Sequence, residues 1–131
     1  MSRYVLDTSA YSHFMRGDSE VVELIDAAQW IGVPAVVLGE LWAGFLLGRR
    51  FEDNDRQLRE FLSNPVVFEI DITADVSRAY ADIVIALREA GTPLPVNDIW
   101  VAATAVVSGA SVLTYDSHFR QIRRAAAIVL A

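Results

Sequence analysis

Tyr4-Val5-Leu6-Asp7-Thr8-Ser9 is an apolar run that ends on an acid and two hydroxyl residues. Three apolar residues without alternation read as a short strand buried on both faces, and Asp7-Thr8-Ser9 as the turn that opens a helix toward Phe14. Near the other end of the chain, Ser111-Val112-Leu113-Thr114-Tyr115-Asp116 repeats the pattern, a strand running into an acid. Strands of this kind belong to parallel sheets held between helical layers, where functional groups gather beyond the carboxyl ends of the strands. Asp7 and Asp116 both fall at such ends.

The segments between them alternate in the way this sheet requires. Val21, Val22, Leu24, Ile25 and Ala28 recur at helical spacing, and Trp30 to Val33 is the next strand. Pro34 suits the first turn of a helix whose wide apolar face is Val37, Leu38, Leu41, Trp42, Phe45 and Leu46, with Glu40 inside it. Gly48-Arg49-Arg50 ends that helix, and Phe51 to Leu62 form a charged one. Val66 to Ile70 read as a strand, and Thr73 caps a helix that runs to Gly91. Pro93 and Pro95 then stop the chain, Asn97 or Asp98 caps a further helix, and Asp116 to Arg124 form a helical turn before the last strand, Ala127 to Leu130. The expected fold class is α/β, a small parallel sheet covered on both faces. With no internal repeat and no linker, residues 1–131 read as one domain.

Composition narrows the chemistry. Of 131 residues, 53% are hydrophobic and 21% charged, enough to bury a sizeable core. Without cysteine there are no disulfides, no thiolate catalysis and no Cys-based zinc site, which suits a reducing cytoplasm. No apolar run reaches the roughly 18–20 residues of a membrane span. The formal net charge of −6 argues against a surface that grips nucleic acid over a wide area. All 11 basic residues are arginine, so Schiff-base chemistry and phosphate binding through lysine are unavailable.

Four acids stand apart. Asp7 is the only formal charge between Arg3 and Arg16, Glu40 between Asp26 and Arg49, and Asp98 between Glu89 and Asp116. The fourth, Asp116, ends an apolar strand. Each taken alone reads as a helix cap. A lone carboxylate in apolar surroundings is costly unless a cation or several donors meet it, so four of them point to one shared cation site. An all-oxygen donor set suits Mg²⁺ or Mn²⁺, with Ca²⁺ open from ligand type alone though no EF-hand spacing is present, and magnesium so held meets phosphate in its remaining positions. The chemistry is then phosphoryl transfer to water.

Leu6-Asp7-Thr8-Ser9, Gly39-Glu40-Leu41 with Gly44, Asn97-Asp98-Ile99 with Ala102-Ala103, and Thr114-x-Asp116-x-His118-Phe119 together resemble the four acidic motifs of PIN-domain ribonucleases, and within them the VapC-type toxins. The resemblance spans nearly the whole chain in order. It implies a three-layer α/β/α sandwich, Mg²⁺ or Mn²⁺ at Asp7, Glu40, Asp98 and Asp116, and endonucleolytic cleavage of RNA, often tRNA or rRNA. It also implies a homodimer and a small antitoxin partner. Thr8, Ser9 and Thr114 match positions whose hydroxyls orient acids or a water, with Asn97 beside Asp98. Ser9 stands where many members carry asparagine. Three other readings compete with this one. They are a catalytically silent PIN-like module that binds RNA or protein, a metal-dependent phosphatase, which ordinarily needs a lysine this chain lacks, and an α/β domain with four unrelated caps. The two histidines, His13 and His118, read as packing or surface residues, and Trp30, Trp42 and Trp100 as core or interface. Trp42, Phe45 and Leu46 are expected to reach an interface as well as the core.

Overall fold

The computed structural model describes residues 2–131. In chain order the elements are β1 (Arg3–Leu6), α1 (Thr8–Met15), α2 (Ser19–Asp26), β2 (Trp30–Pro34), α3 (Ala35–Leu47), α4 (Phe51–Leu62), β3 (Val67–Ile70), α5 (Ala74–Ala90), α6 (Val96–Ser108), β4 (Ser111–Thr114), a 3-10 turn (Ser117–Gln121) and β5 (Ala127–Val129). The five strands form one parallel sheet in the order β3-β2-β1-β4-β5. The α/β expectation and the three layers are borne out.

From β1 the chain steps outward to β2 and β3, then crosses back over β1 to reach β4 and β5. Crossovers between parallel strands are right-handed, so reversing direction changes the face that the connecting helices cover. On one face α1 meets β1 and β4, α3 meets β2 and α4 meets β3; on the other, α6 lies against β1, β2 and β4 with α5 packed beyond it. Val5, Leu6, Ile31, Val33, Val112 and Leu113, fully shielded, fill both faces of the three central strands. That double burial is what their unbroken apolar character anticipated.

Local chemistry sets most of the boundaries. Thr73 accepts a hydrogen bond from the Val76 N–H and starts α5, which stops at Gly91, in the left-handed region with φ 70°. Gly109, at φ 62°, ends α6 in the same way and turns the chain into β4. Two expectations need correction. Pro34 closes β2, where it pairs with Ile70, and caps α3 instead of lying in its first turn. Neither Asn97 nor Asp98 caps α6. Pro95 holds the cap position with extended backbone and no side-chain bond, so both residues lie within the first helical turn. Proline fixes φ and lacks an N–H, and the chain can enter the helix directly behind it. The side chains of Asn97 and Asp98 are thereby released from backbone duty.

Candidate active site

The register places the first and last acids side by side. Leu6 pairs with Leu113, so the next residues, Asp7 and Thr114, leave their strands together, and the Asp7 N–H donates to the Leu113 carbonyl at 3.4 Å. Asp7 is 7% exposed and Thr114 fully buried. Asp7 Oδ1 accepts from the Ala10 N–H at 2.9 Å and from Ser9 Oγ at 2.7 Å, while Thr114 Oγ1 donates to Oδ2. Each hydroxyl has one hydrogen to give, and both are spent on Asp7. Their remaining lone pairs accept backbone N–H groups, Tyr115 onto Ser9 Oγ at 3.0 Å and Asp116 onto Thr114 Oγ1 at 2.9 Å. A carboxylate has about four lone-pair sites, and three of those on Asp7 are taken, leaving one on Oδ2. Burial pushes the Asp7 carboxyl above its ordinary range. The Thr114, Ala10 and Ser9 hydrogen bonds pull it down, and the Asp116 charge pushes it up again.

Glu40, on α3, is fixed from two sides. Thr8 Oγ1 donates to its Oε1 at 2.7 Å, and Asn97 Nδ2 to its Oε2 at 3.1 Å, tying α1, α3 and α6 together. Asp116 caps the 3-10 turn, accepting from the His118 N–H at 2.9 Å. Asp98 accepts no hydrogen bond among the described residues. Its carboxyl is pushed up to about 6, by burial first and then by the charges of Asp116, Asp7 and Glu40, with His118 acting in the opposite sense. The charges of Asp116, Asp7 and Glu40 thus all reach Asp98 at a single edge of the sheet. Among the described residues no arginine pairs with any of them, since Arg50, Arg56, Arg59, Arg78 and Arg124 pair with Asp53, Asp55 and Asp82 instead.

His118, read from the sequence as a packing or surface residue, also stands beside the acids. Its side chain is half exposed, yet Nδ1 lies 3.1 Å from Asp116 Oδ1, and one ring nitrogen, one Asp98 oxygen and one Asp116 oxygen all fall within 4.8 Å of one another. The only signal was its two-residue spacing from Asp116 across a turn. His13 stacks on Tyr115 with ring centroids 3.6 Å apart, a packing role that matches its reading. Trp100 stacks on Tyr80 at 3.9 Å, and Trp42 Nε1 donates to Asp55 at 2.8 Å.

The sequence matches the PIN domain over residues 4–125. The chain belongs to the PIN-domain family. Among relatives of this PIN chain, Ribonuclease VapC4 of Mycobacterium tuberculosis is 38% identical over 91 residues, which are 70% of this chain and 69% of the relative. Ribonuclease VapC5 of the same organism is 28% identical over 124 residues, 95% of this chain and 90% of the relative. The crystal structure of VapBC2 from Rickettsia felis bound to a DNA fragment from their promoter matches with a TM-score of 0.86 at 23% identity, covering 98% of this chain and 99% of that one. At that identity the likeness is one of fold. Among the described residues no helix of this PIN chain is long and apolar enough to cross a membrane.

Proposed function

We propose that this chain is a divalent-metal-dependent endoribonuclease of the VapC kind, a toxin restrained in the cytoplasm by a small antitoxin. The observation that carries the reading is the Asp98 carboxylate facing the charges of Asp116, Asp7 and Glu40, with no arginine paired to any of the four among the described residues. Its relatives named as VapC ribonucleases support the same reaction. The donors fit Mg²⁺ or Mn²⁺: Asp98 has no hydrogen-bond partner among the described residues and offers an oxygen within 4.8 Å of one from Asp116, Asp7 keeps one oriented lone pair, and the carboxylates are hard oxygen ligands. Asp7, Asp98 and Asp116 would hold the ion, with Glu40 completing the set or orienting the water.

A divalent cation bound there supplies a water of lowered pKa and positive charge beside the scissile phosphate. The chain's own residues set the geometry. Ser9, Thr114 and the Ala10 N–H prevent the Asp7 carboxylate from rotating, and Thr8 and Asn97 do the same for Glu40. Each Glu40 oxygen receives one of these donors and keeps a further lone pair, which would accept a proton from the attacking water. Attack by water on phosphorus breaks the bond to the 3′ oxygen, which leaves with a proton. Products carry a 5′-phosphate and a 3′-hydroxyl.

For the antitoxin, the structure offers a groove of about 180 Å³ between α1, α3 and α4, lined by Tyr11, Met15, Leu41, Phe45 and Asn54 among others. Leu46 is 69% and Leu47 91% exposed at the end of α3, next in sequence to the groove residue Phe45. An amphipathic helix from a partner suits such a surface, and a second copy of the chain is the other expected contact.

Cleavage of defined RNAs by the purified chain, with Mg²⁺, with Mn²⁺ and with EDTA, tests the reading. Activity should need the metal, and Asp7→Asn should abolish it while the circular dichroism spectrum stays native. A 2′,3′-cyclic phosphate product, or full activity in EDTA, would overturn it.

A further inference from the structure

The 3-10 turn Ser117–Gln121 carries an imidazole to the acidic edge of the sheet. Asp116 caps the turn through the His118 N–H, and the same carboxylate oxygen, Oδ1, lies 3.1 Å from His118 Nδ1. One ring nitrogen of His118 and one oxygen each from Asp98 and Asp116 lie within 4.8 Å of one another. Donors at about 2.1 Å from a common ion stand about 3.0 Å apart when adjacent in an octahedron and about 4.2 Å when opposite. Spacings of up to 4.8 Å stand just beyond that range, within reach of a change of side-chain rotamer. With 52% of its side chain exposed, His118 is not locked by the core and can present a nitrogen to that ion.

We propose that His118 is itself a ligand of the divalent ion, through a ring nitrogen beside Asp98 and Asp116, and that it biases the site from Mg²⁺ toward Mn²⁺ and later transition ions. The proposal rests on the metal-dependent reading above and adds a nitrogen donor to a set otherwise made of oxygen. Imidazole suits transition ions, whereas carboxylate and water suit magnesium. A His118 that only hydrogen-bonded to Asp116 would orient that carboxylate and stay out of the ion's own shell.

Electron spin-echo envelope modulation separates these two roles, because it reads nitrogen bonded directly to Mn²⁺. The full chain is labelled with ¹⁵N-histidine and loaded with Mn²⁺ alone. The wild type should show directly bonded nitrogen, His13→Ala should keep it, and His118→Ala should lose it while its circular dichroism remains native. By calorimetry, His118→Ala should bind Mn²⁺ at least about tenfold more weakly, since loss of even an outer-shell partner costs roughly 10–100-fold. Its Mg²⁺ affinity should fall by less than about threefold. Wild-type Mn²⁺ without nitrogen coupling, coupling that survives in His118→Ala, or equal losses for the two ions would overturn the proposal and leave the ribonuclease reading standing. Absence of any Mn²⁺ binding to the wild type would bring down both.

Discussion

Asp98→Asn should make the metal-free protein more stable at neutral pH. The Asp98 carboxyl is pushed from its ordinary 3.8 to about 6 in the folded chain, by burial first and by Asp116, Asp7 and Glu40 after it. Because the folded value lies above the unfolded one, the native state binds the extra proton between them and stability falls as pH rises. The penalty is absent below about pH 4, grows to about pH 6 and is complete above it. A displacement of that size corresponds to about 3 kcal/mol against the charged form. Asp98 is only partly buried, and solvent screening brings the figure to roughly 1–2 kcal/mol. Asparagine keeps the shape and removes the charge. For a domain of this size the gain is a melting temperature higher by roughly 3–10 °C in EDTA at about pH 7.5, shrinking toward zero near pH 4. Calorimetry of both proteins across that range measures it. The same substitution should abolish the rise in melting temperature that Mg²⁺ gives the wild type by mass action. A variant less stable than the wild type in EDTA at neutral pH, or a difference that does not change with pH, would refute the electrostatic account.

Thr114→Val removes the donor to Asp7 Oδ2 and the acceptor for the Asp116 N–H inside a fully buried position, so chemical denaturation should show a loss of about 2–4 kcal/mol. Asn97→Ala removes an exposed hydrogen bond to Glu40, and RNA cleavage should fall about tenfold while stability moves by less than about 0.5 kcal/mol. Leu46→Glu with Leu47→Glu changes side chains that are 69% and 91% exposed, so melting should be unaltered while titration with the antitoxin, or light scattering of the chain alone, shows weakened association.

Much of the scaffold was readable in the sequence because local signals and tertiary demands agree there. The charged helix Phe51–Leu62 and the strand Ser111–Thr114 have the bounds that their residues suggest, and Thr73 and Gly91 mark the ends of α5 through bonds that are local by nature. The start of α6 was misplaced because Asn97 and Asp98 have the chemistry of caps, while Pro95 takes the cap position by backbone geometry alone. The use of those freed side chains is tertiary: Asn97 reaches Glu40 across 57 residues of sequence. His118 was undervalued for a related reason. Its nearness to Asp98 depends on α6 and the 3-10 turn meeting at one edge, and no spacing within either segment encodes that. Isolation in apolar sequence did single out the acids whose charges meet at Asp98, since an unpaired carboxylate is costly in such surroundings.

A common role for these acids can be argued against the bland alternative of four unrelated caps. Asp7 and Asp116 are indeed caps, each accepting a backbone N–H at the start of the element that follows. Glu40 lies in the middle of α3 and Asp98 accepts from no N–H among the described residues, so capping explains only two of the four. A carboxylate serving only as a cap gains donors and has its pKa lowered. Asp7 has three donors and is still pushed upward, because burial outweighs them. The site therefore costs the fold stability at neutral pH. Its location follows from topology: β1 and β4 are the neighbours at which the crossovers change sides, so α1 diverges over one face and α6 over the other just beyond the carboxyl ends of those strands. The crevice opened there takes Asp7 and Asp116 from the two strands, Asp98 from the start of α6, and Glu40 from α3 through its bonds to Thr8 and Asn97. Four negative charges converge where the fold leaves an opening, and none is matched by an arginine among the described residues although the chain carries 11 of them.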